Sequence, residues 1–215
     1  MRTVLLTGFE PFDQDTINPS WEAVRLLDGT LLSDDVRIVA RQLPCAFTQA
    51  PDRLRQHLAE LQPDLVIAVG LAQGRNDLSI ERVAINLNDA RIPDNLGHQP
   101  IDTAVVPEGP AAYFCSLPIK AMVRALRAAG IPASVSHSAG TFVCNQVFYS
   151  LQHALAGTAV RSGFIHVPWL PQQAAHAGSV LPSMALDTLV EGLRIAVLTA
   201  LNTEHDVLET GGQVS

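Results

Sequence analysis

Two kinds of apolar run alternate along this chain. Short runs rich in β-branched residues and ending near glycine or proline read as strands: Thr3–Thr7, Val36–Ala40, Leu65–Val69, Ile131–Ser138 and Gly163–Val167. Longer segments with apolar residues at helical spacing read as helices: Pro19–Leu27, Phe47–Leu61, Pro118–Ala129, Gln146–Leu155 and Met184–Thr203. The punctuation agrees, with Asn18 as an N-cap before Pro19, Pro63 after the second helix and Gly130 closing the third. Leu78–Leu87 alternates apolar and polar residues, the pattern of a half-exposed strand.

This succession predicts an α/β domain over residues 1–208, with a mostly parallel, mixed central sheet and helices on both faces. The tail 209–215 is expected to fray. Loops after Gly8, Gly70, Ser138 and Val167 should gather beyond the carboxyl ends of their strands, where such sheets bind ligands. Residues 88–109, rich in Pro, Asp, Asn and Gly, should form a long surface loop.

Composition narrows the function classes. Charged residues make up 16% and hydrophobic residues 47%, which rules out a disordered chain. The net charge of −7 disfavours a nucleic-acid partner. No apolar run reaches the length of a membrane span, and the first residues enter a strand pattern rather than a signal peptide. Three widely spaced cysteines make no disulfide framework, so a cytoplasmic protein with reduced thiols is expected. No spacing typical of a metal site occurs, and the glycines after the first and third strands match neither dinucleotide nor P-loop patterns.

The candidate chemistry centres on Cys144. It lies between the strand Ile131–Ser138 and a helix, where unpaired N–H groups and the helix dipole would favour a thiolate. A buried, inert cysteine in a non-catalytic binding module is the competing reading. A nucleophilic thiol needs a base, and His166, at the carboxyl end of a short strand, is the best placed of seven histidines. Glu81 interrupts an apolar strand beside Arg82. By pattern alone it is first a solvated carboxylate, and secondly a buried partner orienting His166. Cys45 and Cys115 lack the helix-start context and read as structural.

Six segments in order, Gly8-Phe-Glu-Pro-Phe12, Asn18-Pro-Ser-Trp-Glu22, Glu81-Arg-Val-Ala-Ile-Asn86, Asp89-Ala-Arg-Ile-Pro-Asp-Asn95, Ser138-Ala-Gly-Thr-Phe-Val-Cys-Asn145 and Phe164-Ile-His-Val-Pro168, resemble the pyrrolidone-carboxylate peptidase, or pyroglutamyl peptidase I, family. The resemblance implies a three-layer α/β/α sandwich, no cofactor and no metal, and commonly a homotetramer. It implies a cysteine exopeptidase that releases 5-oxoproline from peptides with an N-terminal pyroglutamyl residue. It places nucleophile, base and acid on Cys144, His166 and Glu81. Phe9, Phe12 and Phe142 would form an apolar slot for the ring, with Gln73 pairing with the lactam and Arg91 supporting the oxyanion. Asn18 would hold the first loop or cap the helix after it. One departure stands out: the family often has Gly-Gly where this chain has Asp13-Gln14.

Overall fold

A computed structural model describes residues 1–13, 15–177 and 181–212. In chain order the elements are β1 (Arg2–Phe9), α1 (Pro19–Arg25), β2 (Leu31–Ser33), β3 (Val36–Leu43), α2 (Ala50–Leu61), β4 (Leu65–Leu71), β5 (Leu78–Glu81) and β6 (Val83–Ile85). There follow β7 (Ala112–Phe114), α3 (Ile119–Ala128), β8 (Ala133–Ser136), α4 (Val143–Leu155), β9 (Arg161–Val167), α5 (Pro171–His176) and α6 (Leu186–Asn202).

Among the described residues the main sheet has seven strands in the order β2-β3-β1-β4-β9-β5-β8, and β6 and β7 form a separate pair. β3, β1, β4 and β9 are mutually parallel. β2 pairs antiparallel at one edge. β5 runs antiparallel to β9, and β8 follows β5. The expected mixed, mostly parallel sheet is therefore present, but the carboxyl end of β8 lies at the opposite edge from those of β1, β4 and β9. The loop after Ser138 reaches its neighbours by doubling back. It is pinned where Thr141 Oγ1 donates to the Asp89 carbonyl at 2.7 Å and Arg75 donates to the Ser138 carbonyl at 3.1 Å.

The pleat sorts side chains between two cores. Val4, Leu6, Ile67, Val69, Leu78, Ile80, Ile165 and Val167 share one cluster with residues of α1, α3 and α6. Leu5, Phe9, Val66, Ala68 and Phe164 share the other with residues of α2 and α4. By the same alternation Gly70, Ser79, Glu81 and His166 face α4. A face made of small and polar residues there leaves room for the site.

Leu78–Leu87 departs from its expected form. Leu78–Glu81 is buried throughout as β5, and the chain then leaves the sheet at Arg82 to form β6 with a different partner. Two apolar-polar stretches in different sheets mimicked one half-exposed strand. The 88–109 loop is held from within. Buried Asp94 accepts from the backbone N–H groups of Phe47 at 2.7 Å, Leu96 at 2.9 Å and His98 at 2.8 Å. Asn145 on α4 donates to the carbonyls of Ile85 and Leu87 and accepts from Ile85 N–H. In the tail expected to fray, Glu209 pairs with Arg124 at 2.9 Å and the Gly211 carbonyl accepts from Arg82 at 2.9 Å. Residues 213–215 lie outside the described residues.

Candidate active site

α4 begins at Val143, so Cys144 sits in its first turn. The N-cap position is Phe142, which offers the first turn no side-chain acceptor. Backbone N–H groups at this helix start therefore remain available to a ligand. The sulfur rests over β4: a Cβ built on Gly70 would lie 2.9 Å from Cys144 Sγ. Gly70 is the register partner of His166 on β9. Sulfur and imidazole therefore lie over neighbouring strands on the same face of the sheet.

His166 is anchored from behind. Its Nδ1 donates to Glu81 Oε1 at 2.7 Å, which leaves Nε2 as the acceptor toward the sulfur side. Glu81 is 0% exposed, the buried alternative rather than a solvated neighbour of Arg82. Its Oε1 also accepts from Arg75 at 2.9 Å, while Oε2 has no hydrogen-bond partner among the described residues. Phe164 flanks the imidazole with ring centroids 4.8 Å apart.

In front of the sulfur lies a cavity of about 590 Å³, lined by both Cys144 and His166. All six of the other expected residues line it too: Phe9, Phe12, Asn18, Gln73, Arg91 and Phe142. Their surroundings differ. Phe12 and Phe47 each stand 5.1 Å from the Phe142 ring, and Phe47 is buried and supports Phe142 without lining the cavity. Phe9 is nearly fully buried against Phe164 and belongs mostly to the core. Asn18 spends its polar atoms on the fold: Oδ1 accepts from Ser20 N–H and Oγ, and Nδ2 donates to the Glu10 carbonyl. Both structural roles foreseen for it are therefore realised. Gln73 and Arg91 are exposed at the rim, and Arg91 forms no ion pair among the described residues.

The family model described as pyroglutamyl peptidase matches residues 2–203. The chain belongs to the pyroglutamyl peptidase family. It is 72% identical, over the full length of both chains, to a pyrrolidone-carboxylate peptidase of Pseudomonas fluorescens. Its fold superposes on the crystal structure of pyroglutamyl peptidase I from Bacillus amyloliquefaciens with a TM-score of 0.92, at 46% identity over 96% of this chain and 100% of that one. A pyrrolidone carboxyl peptidase from Thermococcus litoralis gives 0.90 at 38% identity over 94% of each chain. The protein is accordingly a cysteine-type hydrolase of α/β fold. No helix among its described residues is long and apolar enough to cross a membrane.

In this family member the electrostatics correct one expectation. Burial pushes the Cys144 thiol up to about 12, with Glu81 acting the same way and Arg75 opposing. The helix start does not outweigh desolvation at this position. Burial also lowers His166 below its ordinary 6.5, against the opposing pull of Glu81. Both shifts favour the uncharged forms of thiol and imidazole. The sign follows: kcat/KM should be lost on the acid side only as His166 charges, below pH 6.5, and should persist on the alkaline side past pH 9.0, the ordinary thiol value. A kcat/KM pH profile with its acid limb centred above 6.5 would contradict this. Cys45 also lines the cavity, but burial drives its thiol far up, and Cys115 is pushed to about 12.

Two residues of the site escaped sequence reasoning. Arg75 was one more polar residue in a glycine-bounded turn, and nothing in its local pattern points to Glu81. Gly70 read as the end of a strand. In the fold its missing side chain is what admits the sulfur, since a Cβ would also meet Phe164 Cζ at 2.7 Å. Gly70→Ala should displace Cys144 by a fraction of an ångström or more and lower kcat about 100-fold, the scale of such misplacements. Steady-state kinetics within twofold of the wild type would show that the sulfur does not need this gap.

Proposed function

We propose that this protein removes the N-terminal pyroglutamyl residue from peptides by acyl transfer through a thioester on Cys144. The observation that carries the reading is the convergence of Cys144, His166 and the Glu81-Arg75 pair at one wall of an aromatic-lined cavity. The thiol proton passes to His166 Nε2 as Sγ attacks the carbonyl carbon linking the ring to the next residue. The C–N bond breaks, and His166 returns the proton to the departing amine. His166 then takes a proton from water, whose oxygen attacks the thioester. 5-Oxoproline leaves and the thiol is restored. The Cys144 backbone N–H and Arg91 serve the oxyanion. Glu81 holds Nδ1–H and stabilises the imidazolium, and Arg75 balances its charge.

A pyroglutamyl ring is flat and uncharged, and it carries one lactam N–H and one C=O. Phe12 and Phe142, which line the cavity, suit its faces, with Phe9 as a further apolar wall and Gln73 at the rim for a lactam group. A free proline or glutamate N-terminus brings a charged amine that a desolvated slot penalises. The reading includes a reduced, cytoplasmic enzyme without a cofactor, assembled as a homo-oligomer, a tetramer by family resemblance. Exposed Phe114 and Ile101 offer apolar surface for such contacts. The test is release of aminocoumarin from pyroglutamyl-aminocoumarin, with prolyl-aminocoumarin as the control. Folded, reduced protein that leaves the pyroglutamyl compound intact would overturn the proposal.

A further inference from the structure

The cavity holding Cys144 and His166 does not end at the reacting groups. A second cavity of about 400 Å³ adjoins it, and the two share Asp15, Ile17 and Trp169 as a common wall. Its far side is built by Thr16 and by the α5 residues Gln172, Gln173 and His176. The two walls are cross-braced: Gln173 Nε2 donates to Asp15 Oδ2 at 2.9 Å, and Gln173 Oε1 accepts from Leu170 N–H at 3.1 Å. The groove thus has a fixed width set inside the fold.

Its direction follows from the chemistry. Phe12 and Phe142, which line the first cavity, do not line the second. His166, which delivers the proton to the departing amine, must face the leaving side. Trp169 follows it by three residues, and both line the first cavity. A peptide leaving the scissile bond past His166 therefore runs over Trp169 into the groove, at about 3.3 Å per extended residue.

Resting on the activity proposed above, we infer that this groove is a leaving-side subsite for the residues that follow pyroglutamate, and that it favours a lysine or arginine among them. Asp15 is the one carboxylate and His176 the one imidazole among the described residues lining it, and no lysine or arginine does. Asp13 lines the adjoining cavity, close enough that its charge is felt at Asp15. Asp13 takes a φ of 53°, in the left-handed region where glycine costs least, so this chain carries a carboxylate where a glycine would suit the backbone. Gln14 lies outside the described residues. Trp169 adds a ring face suited to a cationic side chain.

The test compares kcat/KM for pyroglutamyl-Ala-amide, pyroglutamyl-Ala-Lys-amide, pyroglutamyl-Ala-Glu-amide and pyroglutamyl-aminocoumarin. The Lys peptide should exceed both the Glu peptide and the shorter amide by about fivefold, and the Lys-to-Glu ratio should shrink in about 0.5 M salt. Asp15→Asn keeps an acceptor for Gln173 and should bring that ratio close to one. Gln172→Lys, an exposed change on α5, should turn it in favour of Glu. Equal values for all three peptides in the wild type, or an unchanged ratio in both variants, would overturn the subsite. Failure to cleave any compound, aminocoumarin included, would instead overturn the activity on which it rests.

Discussion

Cys144→Ala should lower turnover of pyroglutamyl-aminocoumarin by about 10⁴-fold or more, while the protein stays folded. The sulfur is the atom that would bond to the acyl carbon, and nothing nearby replaces it. Cys45 shares the cavity, yet burial holds its thiol firmly protonated. Cys144 is only half-buried and its side chain makes no hydrogen bond to another residue among those described, so removing it opens little core. Melting curves should therefore nearly coincide with those of the wild type. His166→Ala should fall in a similar range, and the double variant should be no worse than the singles, because nucleophile and base act as one unit. Residual activity above about 1% in Cys144→Ala, with active-site titration excluding contaminating wild type, would place the nucleophile elsewhere.

Glu81→Gln should be the second most damaging change, for two separable reasons. One Oε1 atom receives both His166 Nδ1 at 2.7 Å and Arg75 at 2.9 Å. A glutamine amide can keep its oxygen on both donors, with its N–H₂ at the Oε2 position, but it loses the charge that stabilises the imidazolium. A kcat loss of about 10³- to 10⁴-fold is expected, the range seen when a triad carboxylate becomes an amide. The second effect is on stability. Arg75 loses the anion it faces, and because it is partly exposed the cost should be about 2 kcal/mol, below that of a fully buried pair. Glu81 raises the His166 pKa, so its neutralisation should also move the acid limb of kcat/KM to lower pH. Near-native kcat with an unchanged melting temperature would reduce Glu81 to a bystander.

The parts of this protein that were open to sequence reading are local or periodic. Apolar runs located β1, β4 and β9 to within two residues and β3 to within three; the first three are buried on both faces, and such a strand has few ways to be written. Asn18 and Pro19 marked the start of α1 through capping chemistry that acts over two residues. The six ordered motifs pointed to Cys144, His166 and Glu81 through resemblance. Residue patterns alone left Glu81 on the surface, because a carboxylate beside an arginine looks the same in sequence whether or not water reaches it.

Tertiary structure decided the rest. Only strand order set β5 antiparallel to β9, which puts Glu81 diagonally across from His166 on the face toward α4. Only the β4–β9 register set Gly70 opposite His166 and beneath the sulfur. Arg75 became part of the site because a turn and a strand end, six residues apart, fold back on each other. Even the sign of the Cys144 shift was a matter of packing: the helix start favours the anion, and desolvation outweighs it. Periodicity and capping are interactions between near neighbours in the chain, so the sequence alone carries them. The register, burial and field at a point depend on segments 85 residues or more apart, and those meet only once the sheet has closed around them.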